Sequence, residues 1–394
     1  MMLSLAYIIV FGLIGAYVFR LIKLPGLIGM LFVGIIIGPS GFDLLEAPLL
    51  NISEDIRKIA LIIILLRAGL GLNRRMILSI GKQASALSVI PVMLEGVVVM
   101  FFATLLFDFN LVQGGMLGFI VAAVSPAVIV PTMLELMRDK IGMKKRIPVL
   151  VLSSASVDDV IAITMFSAFL SIYFSQSVTF VSYVYRIPLS IFLGISLGII
   201  VGYGLVWFFK KYSTRDTKKI LLLIAVGILM VSFAELVESY VMVASLLGVM
   251  TLGIMITEKK TLLGERLSIK FDKVWVLAEL FLFVLVGAAL DIDVALEAGL
   301  FGVFLVILGV MARSIGVFVA TIATEFTIKE KWFIVFSYTP KATVQAAVGS
   351  IPLSLGVSGG EIILAVSVIA ILITAPVGAI LIKFTSKSLL KDAT

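Results

Sequence analysis

The sequence predicts an all-α polytopic membrane protein of about thirteen transmembrane helices, built as an inverted-topology repeat that contains two discontinuous helices. Three observations carry that prediction. Composition is the first: 61% of the 394 residues are apolar and only 14% charged, with a mean hydropathy of +1.22, far from the range of soluble domains. The second is the division of the chain into apolar stretches long enough to cross a bilayer, joined by polar segments of alternating charge. The third is a self-similarity between stretches about 219 residues apart that cross in opposite directions.

In chain order the spans fall at about 2–19, 26–42, 59–72, 84–107, 111–137, 148–174, 187–209, 219–236, 240–257, 274–290, 299–322, 332–353 and 361–382. Basic residues gather in alternate connections: Arg20/Lys23, Arg74/Arg75/Lys82, Arg138 to Arg146, Lys210 to Lys219, Lys259 to Lys273, Lys329/Lys331 and the tail Lys383/Lys387/Lys391. Arg57, Lys58 and Arg186 lie on the opposite side, and Arg67, Arg313 and Lys341 lie inside spans. Cytoplasmic loops collect lysine and arginine, so the N-terminus is expected outside and the C-terminus in the cytoplasm, in a cell (plasma) membrane. The same asymmetry accounts for the net charge of +7 without a nucleic-acid partner. The first span has no basic flank before it and no Ala-x-Ala after it, and so reads as a span rather than a cleaved leader.

The repeat is visible residue by residue. Gly26 to Gly38 lines up with Ser245 to Thr257, and Gly29/Gly248 and Gly34/Gly253 coincide. At the same offset Ala68 and Gly69 of the third span lie over Gly287 and Ala288 of the tenth. Spans four, five and six then correspond to eleven, twelve and thirteen. The whole of 1–394 reads as one membrane transporter domain, with repeat one at about 2–174, a linker helix at about 187–209 and repeat two at about 219–382. Glu95 falls within one residue of the counterpart of Arg313. The centres of spans five and twelve both carry proline: Pro126 and Pro131 in one, Pro340 in the other. Proline removes a backbone donor and clashes with the preceding turn. Inside a membrane this is tolerated where the freed backbone is buried in protein or lines a cavity, so both helices are expected to break there, turning carbonyls and half-helix ends towards an ion site.

With no cysteine and no histidine, disulfides, thiolate metal sites and thiol catalysis are excluded, and proton chemistry near neutral pH falls to carboxylates or a lysine. No Walker motif, zinc-ligand set or nucleophile elbow occurs. The chain is therefore expected to be neither an enzyme nor an ATP-driven pump, and to need no cofactor beyond the ions it moves.

The costliest stretch is Ser153 to Thr164, which sets Asp158 and Asp159 in the middle of an apolar span. An ionised aspartate there costs roughly 2.5–3.5 kcal/mol, and neighbours on a helix point about 100° apart. One aspartate can then face a neighbouring helix while the other faces a cavity. The expected role is proton and cation binding, with Na⁺ at Asp158 and Asp159; a structural pair neutralised by Lys341 or Arg313 is the alternative. Lys341 reads either as a counter-charge released on cation binding or as a fixed latch. Glu95 and Arg313 read as a buried salt bridge that holds the core helices, with direct ion coordination as the alternative, and Arg67 as a third functional cation or a structural partner. Leaving all six unpaired would cost roughly 15–21 kcal/mol, more than the roughly 5–15 kcal/mol that holds a typical fold, so most must be paired, protonated or hydrated. Ser125, Thr132, Ser154 and Thr164 can offer oxygens to a small hard cation, or bond to their own backbone. Gly194, Gly198 and Gly202 form a small-xxx-small face suited to close helix packing.

These motifs together resemble the cation:proton antiporter superfamily. Ser125-Pro126-Ala127-Val128-Ile129-Val130-Pro131, Val157-Asp158-Asp159-Val160, and Pro340-Lys341-Ala342-Thr343-Val344-Gln345 are most similar to those of the sodium/proton exchangers of the solute carrier 9B type and their prokaryotic relatives. Leu66 to Leu72 and Ile371 to Pro376 fit the same group. The resemblance implies a homodimer in which a core with two crossed, discontinuous helices moves in elevator fashion. It also implies Asp158 and Asp159 as the ion- and proton-binding pair, with Glu95, Arg313 and Lys341 in the surrounding charge network. Both Arg313 and Lys341 are present, and the resemblance leaves open which pairs with Asp158. The expected activity is electrogenic Na⁺(Li⁺)/H⁺ exchange in the service of pH homeostasis, with monovalent cations, protons and membrane lipid as partners. A K⁺/H⁺ antiporter and a sodium-coupled symporter of organic anions share the architecture and stay as alternatives; a channel has no need of an inverted repeat with broken helices.

Overall fold

A computed structural model gives the chain's fold. It describes residues 1–394 except 23, 72–81, 175–179, 213–214, 238–242 and 391–394, and it describes the backbone alone at 82, 126, 127, 131, 134, 156, 180–188 and 235. The basic flanks at Lys23, Arg74, Arg75 and Lys391 fall outside the described residues.

Among the described residues every regular element is a helix. The first helices are α1 (Met2–Leu21), α2 (Gly26–Ile37), the short α3 (Ala47–Asn51), α4 (Ser53–Gly71) and α5 (Lys82–Leu106). Span five is two helices, α6 (Leu111–Ala122) and α7 (Pro126–Arg138). Then come α8 (Ile147–Tyr173), α9 (Phe180–Lys211), α10 (Asp216–Val237), α11 (Ser245–Lys259), α12 (Thr261–Ala288), the short α13 (Ile292–Glu297) and α14 (Gly299–Ala320). Span twelve is also divided, into α15 (Ile328–Ser337) and α16 (Thr343–Val348), followed by α17 (Ile351–Ser354) and the closing α18 (Gly360–Leu389).

Seven of these helices are long and apolar enough to cross a membrane unaided: α1, α5, α8, α9, α10, α14 and α18. The other six predicted spans depart from that form. α2 and α11 have 12 and 15 residues, α4 and α12 carry charges along their length, and two are broken. Local chemistry fixes several ends. Asn110 caps α6 and Thr327 caps α15, each in a reciprocal box with the glutamine or glutamate three residues on (Gln113, Glu330). Pro126 stands in the first turn of α7, where a missing N–H costs nothing. Pro131 lies inside α7 without interrupting it, so of the three prolines expected to break helices, this one does not.

Two compact units are present, and each draws on both repeats. The first comprises Met1–Glu54, Ile80–Ile163 and Leu282–Thr394, the second Asp55–Ser79 and Thr164–Phe281. In the first, α2 meets the end of α12: a Cβ on Gly34 would strike the Val284 carbonyl, and one on Gly287 the Leu31 carbonyl. In the second, α4 meets α11 in the corresponding way, with Gly69 against the Met250 carbonyl and Gly253 against the Leu66 carbonyl. These crossings are the same contact made twice, between residues related by the sequence offset to within one residue. The Gly194, Gly198 and Gly202 face of α9 packs on α11 at Ala244, Gly248 and Met255, as the small-residue spacing predicts.

Arg67 departs from the expectation of burial. It pairs with Asp272 at 2.5 Å, its side chain 37% exposed and that of Asp272 52% exposed, and its guanidinium lies 6.0 Å from the Trp275 ring centre. It takes no part in the buried cluster described next.

Candidate functional site

The buried charges converge in the first unit because small residues let their helices touch. Gly316 of α14 sits on Pro91 of α5, and Gly309, one turn before Arg313, leaves room for the Glu95 carboxylate. On the other face of α5, Gly96 receives the Phe119 ring, and Gly114 and Gly118 of α6 lie against the Met100 and Gly96 carbonyls. Glu95 is thereby buried between α6 and α14, where α8 brings Asp158.

Arg313 is the hub. Its Nε donates to Glu95 Oε2, its Nη2 to the carbonyl of Ala122, and its Nη1 to Asp158 Oδ1 at 3.1 Å. Lys341 Nζ donates to Glu95 Oε2 at 2.7 Å and to Ala122 O at 3.3 Å. The alternative left open by the sequence is thus resolved geometrically: Arg313 faces Asp158, and Lys341 faces Glu95. All four side chains are at most 2% exposed. Asp158 Oδ2 also accepts the Val124 N–H at 3.1 Å. Asp159 stands apart. It is half-buried, and among the described residues its Oδ1, like Glu95 Oε1, is enclosed without a hydrogen-bond partner.

The two breaks face each other at this point. Residues 123–125 separate α6 from α7, and 338–342 separate α15 from α16. Ser125 N–H donates to Pro340 O at 2.8 Å, Thr343 N–H to Ser125 Oγ at 3.4 Å, and the Ser125 and Thr343 hydroxyls lie 3.5 Å apart. Ser125 and Thr343 are 218 residues apart, the same separation as Glu95 and Arg313. The prolines at 126 and 340 are therefore not equivalent positions. Pro126 opens a helix, whereas Pro340 sits within its break against Gly378 of α18. The Lys341 N–H is held by Thr374 Oγ1 at 2.9 Å.

The helix-end carbonyls face protein cations and amides instead of open space. Ala122 O is taken by Arg313 and Lys341, and Gln345 Nε2 donates to Ile120 O at 2.8 Å, Ala123 O at 2.9 Å and Val121 O at 3.4 Å. The expectation that half-helix ends turn free carbonyls to an ion does not hold for this end. Of the predicted oxygen donors, Ser125 lies in the break. Ser154 donates to Leu150 O and accepts the hydroxyl of Tyr338, whose ring lies 5.6 Å from the Arg313 guanidinium carbon. Its oxygen holds Tyr338 in place. Thr132, half-buried on α7, makes none of these contacts. Gln345, Tyr338 and Thr374 were not singled out as site residues from the sequence. The signal that marks Gln345 is an uncharged amide in an otherwise apolar run.

With every group ionised the cluster holds three carboxylates and two cations, a formal charge of −1. One monovalent cation or one proton neutralises it, and the unpartnered Asp159 oxygen is a hard donor for either.

A family model described as "Sodium/hydrogen exchanger, transmembrane" matches residues 7–388. The chain is 34% identical over 400 residues to the mouse sodium/hydrogen exchanger 9B2, covering 93% of this chain and 70% of that protein. It is 32% identical to the human 9B2 exchanger, covering 96% and 73%. In fold it is similar to the sodium proton antiporter MjNhaP1 from Methanocaldococcus jannaschii, with a TM-score of 0.82 at 19% identity, covering 98% of this chain and 97% of that one.

Proposed function

This chain belongs to the sodium/hydrogen exchanger family, and on that premise we propose that Na⁺ or Li⁺ and protons compete for Asp158 and Asp159, two protons entering for each cation expelled. Cation/proton antiport by a multi-pass membrane protein follows from the family; the site, the ions' competition and the stoichiometry are the proposal. The observation that carries it is the enclosed, unpartnered Oδ1 of Asp159 beside a carboxylate already held by Arg313. A buried carboxylate oxygen with nothing to accept from costs several kcal/mol unless a cation or a proton meets it. Competition for one pair of carboxylates makes exchange obligatory without a further coupling device.

Arg313 supports the two-proton reading. It contacts Glu95 as well as Asp158, so Asp158 can take a proton without leaving a buried guanidinium unpaired. With both aspartates protonated the cluster carries +1, and with a cation on the ionised pair it is neutral. The two loaded forms differ by one charge, worth about 2.3 kcal/mol per 100 mV, and the membrane potential would then drive cation export. The same reading includes a homodimer in the plasma membrane with the N-terminus outside and the C-terminus cytoplasmic, serving pH homeostasis.

The test is proton movement in proteoliposomes carrying a pH dye, with NaCl, LiCl, KCl and choline chloride added in turn and the potential free or clamped. Potential-sensitive dequenching by Na⁺ and Li⁺, lost in Asp158→Asn and Asp159→Asn, is the expected result. A potential-insensitive response to K⁺ would replace it with electroneutral potassium exchange, and persistence of the signal in both variants would remove the aspartates from the mechanism.

A further inference from the structure

We propose that Gln345 is a positioning residue of this site: its amide engages the carbonyl end of half-helix α6, so that the carboxylates, rather than these carbonyls, are the oxygens presented to the transported ion. The proposal rests on the exchange reading above. A helix end leaves its last four carbonyls without intrahelical partners, and at membrane depth each must find one. Here the partners are counted out. Ala122 O goes to Arg313 and Lys341, and the two hydrogens of the fully buried Gln345 Nε2 go to Ile120 O at 2.8 Å and Ala123 O at 2.9 Å, with Val121 O sharing one of them at 3.4 Å. Its Oε1, also buried, accepts from nothing, so the donor side alone sets the amide's orientation.

The repeat shows that this is an addition rather than an inherited feature of the break. At the 218-residue separation that relates Ser125 to Thr343, the counterpart of Gln345 is Ala127, and alanine has nothing to donate. Among the described residues, one of the two breaks is capped by a side-chain amide from across the site in this way. The capped end is the one that Arg313 and Lys341 approach. Uncapped carbonyls there would compete with Glu95 for Lys341 and with Asp159 for the cation; capped, they leave the carboxylates as the oxygens open to an ion.

Polarity makes the idea testable. α6 and α16 carry no ionisable residue, and α18 carries none between Ile362 and Ile382. The charged groups around this helix end are therefore Lys341, Arg313, Glu95, Asp158 and Asp159. In proteoliposomes, Na⁺-driven proton flux would be measured against pH and Na⁺ concentration for the parent, Gln345→Met, Gln345→Glu and Asp159→Asn. Gln345→Met keeps the length without the donors and is expected to raise the KM for Na⁺ about tenfold. Gln345→Glu places a carboxylate against carbonyls at alkaline pH and a donor hydrogen against them in acid. Its pH optimum is expected to move to acid relative to the parent, a shift that simple space-filling would not produce. A Gln345→Glu protein that is active alike, or inactive alike, at every pH overturns the proposal, and so does a parental KM in folded Gln345→Met. An active Asp159→Asn would sink the exchange reading itself; an inactive one beside parental Gln345 variants would sink the clamp alone.

Discussion

Glu95 Oε2 accepts from both Arg313 and Lys341, so truncating this one side chain leaves two buried cations short of a counter-charge. Breaking a buried pair on one side typically costs about 3–5 kcal/mol. Glu95→Ala is therefore expected to lower the unfolding midpoint of the purified protein in detergent sharply, and adding Lys341→Met to recover part of the loss. Asp159→Asn should behave in the opposite sense. No protein donor depends on its Oδ1, so exchange is lost while the melting temperature holds or rises. Reading the sequence located these charged residues because each is expensive at membrane depth. It did not assign Lys341 to Glu95, which lies 246 residues away, since the choice between two nearby carboxylates is made by helix packing. Gln345 escaped for a different reason: its partners are main-chain carbonyls, and a sequence does not show where those point.

Helices meet in this protein where glycine removes the side chain between two backbones. Gly34→Val and Gly69→Val would each drive a branched side chain into a carbonyl of the facing helix. Their cost is expected to exceed the roughly 1–3 kcal/mol of ordinary overpacking, because a helix backbone cannot rotate aside, and the readout is loss of monodisperse protein on size exclusion. At Gly204 on α9 an added Cβ would meet nothing within 4 Å, so Gly204→Ala should stabilise by about 1 kcal/mol through helix propensity alone, seen as a small rise in melting temperature. The repeat was legible because Gly29/Gly248 and Gly34/Gly253 recur at one offset, but the crossings these small residues make, Gly34 on Val284 and Gly69 on Met250, were not, since the choice of facing helix is made by packing. The breaks were legible only approximately. Pro126 and Pro340 both mark a break, but they stand four residues out of the register in which Ser125 meets Thr343, since proline is accommodated at the start of α7 and within it, and lies inside the break only at 340.

At the scale of the molecule, charge asymmetry predicts a topology that single reporters can check. The chain has no cysteine, so one introduced at Lys144 should react with an impermeant thiol reagent only from the cytoplasmic side, and one at Asp293 only from outside; the reverse pattern would overturn the assigned orientation. The thirteen apolar stretches were readable from hydropathy, but which of them would be short, charged or broken was not, because those departures are tolerated only against neighbours. Nor could the division into two units be read off, since neither unit is a continuous stretch of chain. That interleaving has a consequence for biosynthesis. The Ser40 hydroxyl donates to the carbonyl of Leu290, 250 residues later, next to the crossing of α2 with the end of α12. At roughly 5–20 residues per second, about 12–50 s separate the emergence of these partners from the ribosome. Throughout that interval α2 has α1 against Gly26 and Gly29, but Gly34 lacks the Val284 carbonyl it will lie against, so that side of the nascent first half must be sheltered by lipid or by the insertion machinery until the second half arrives.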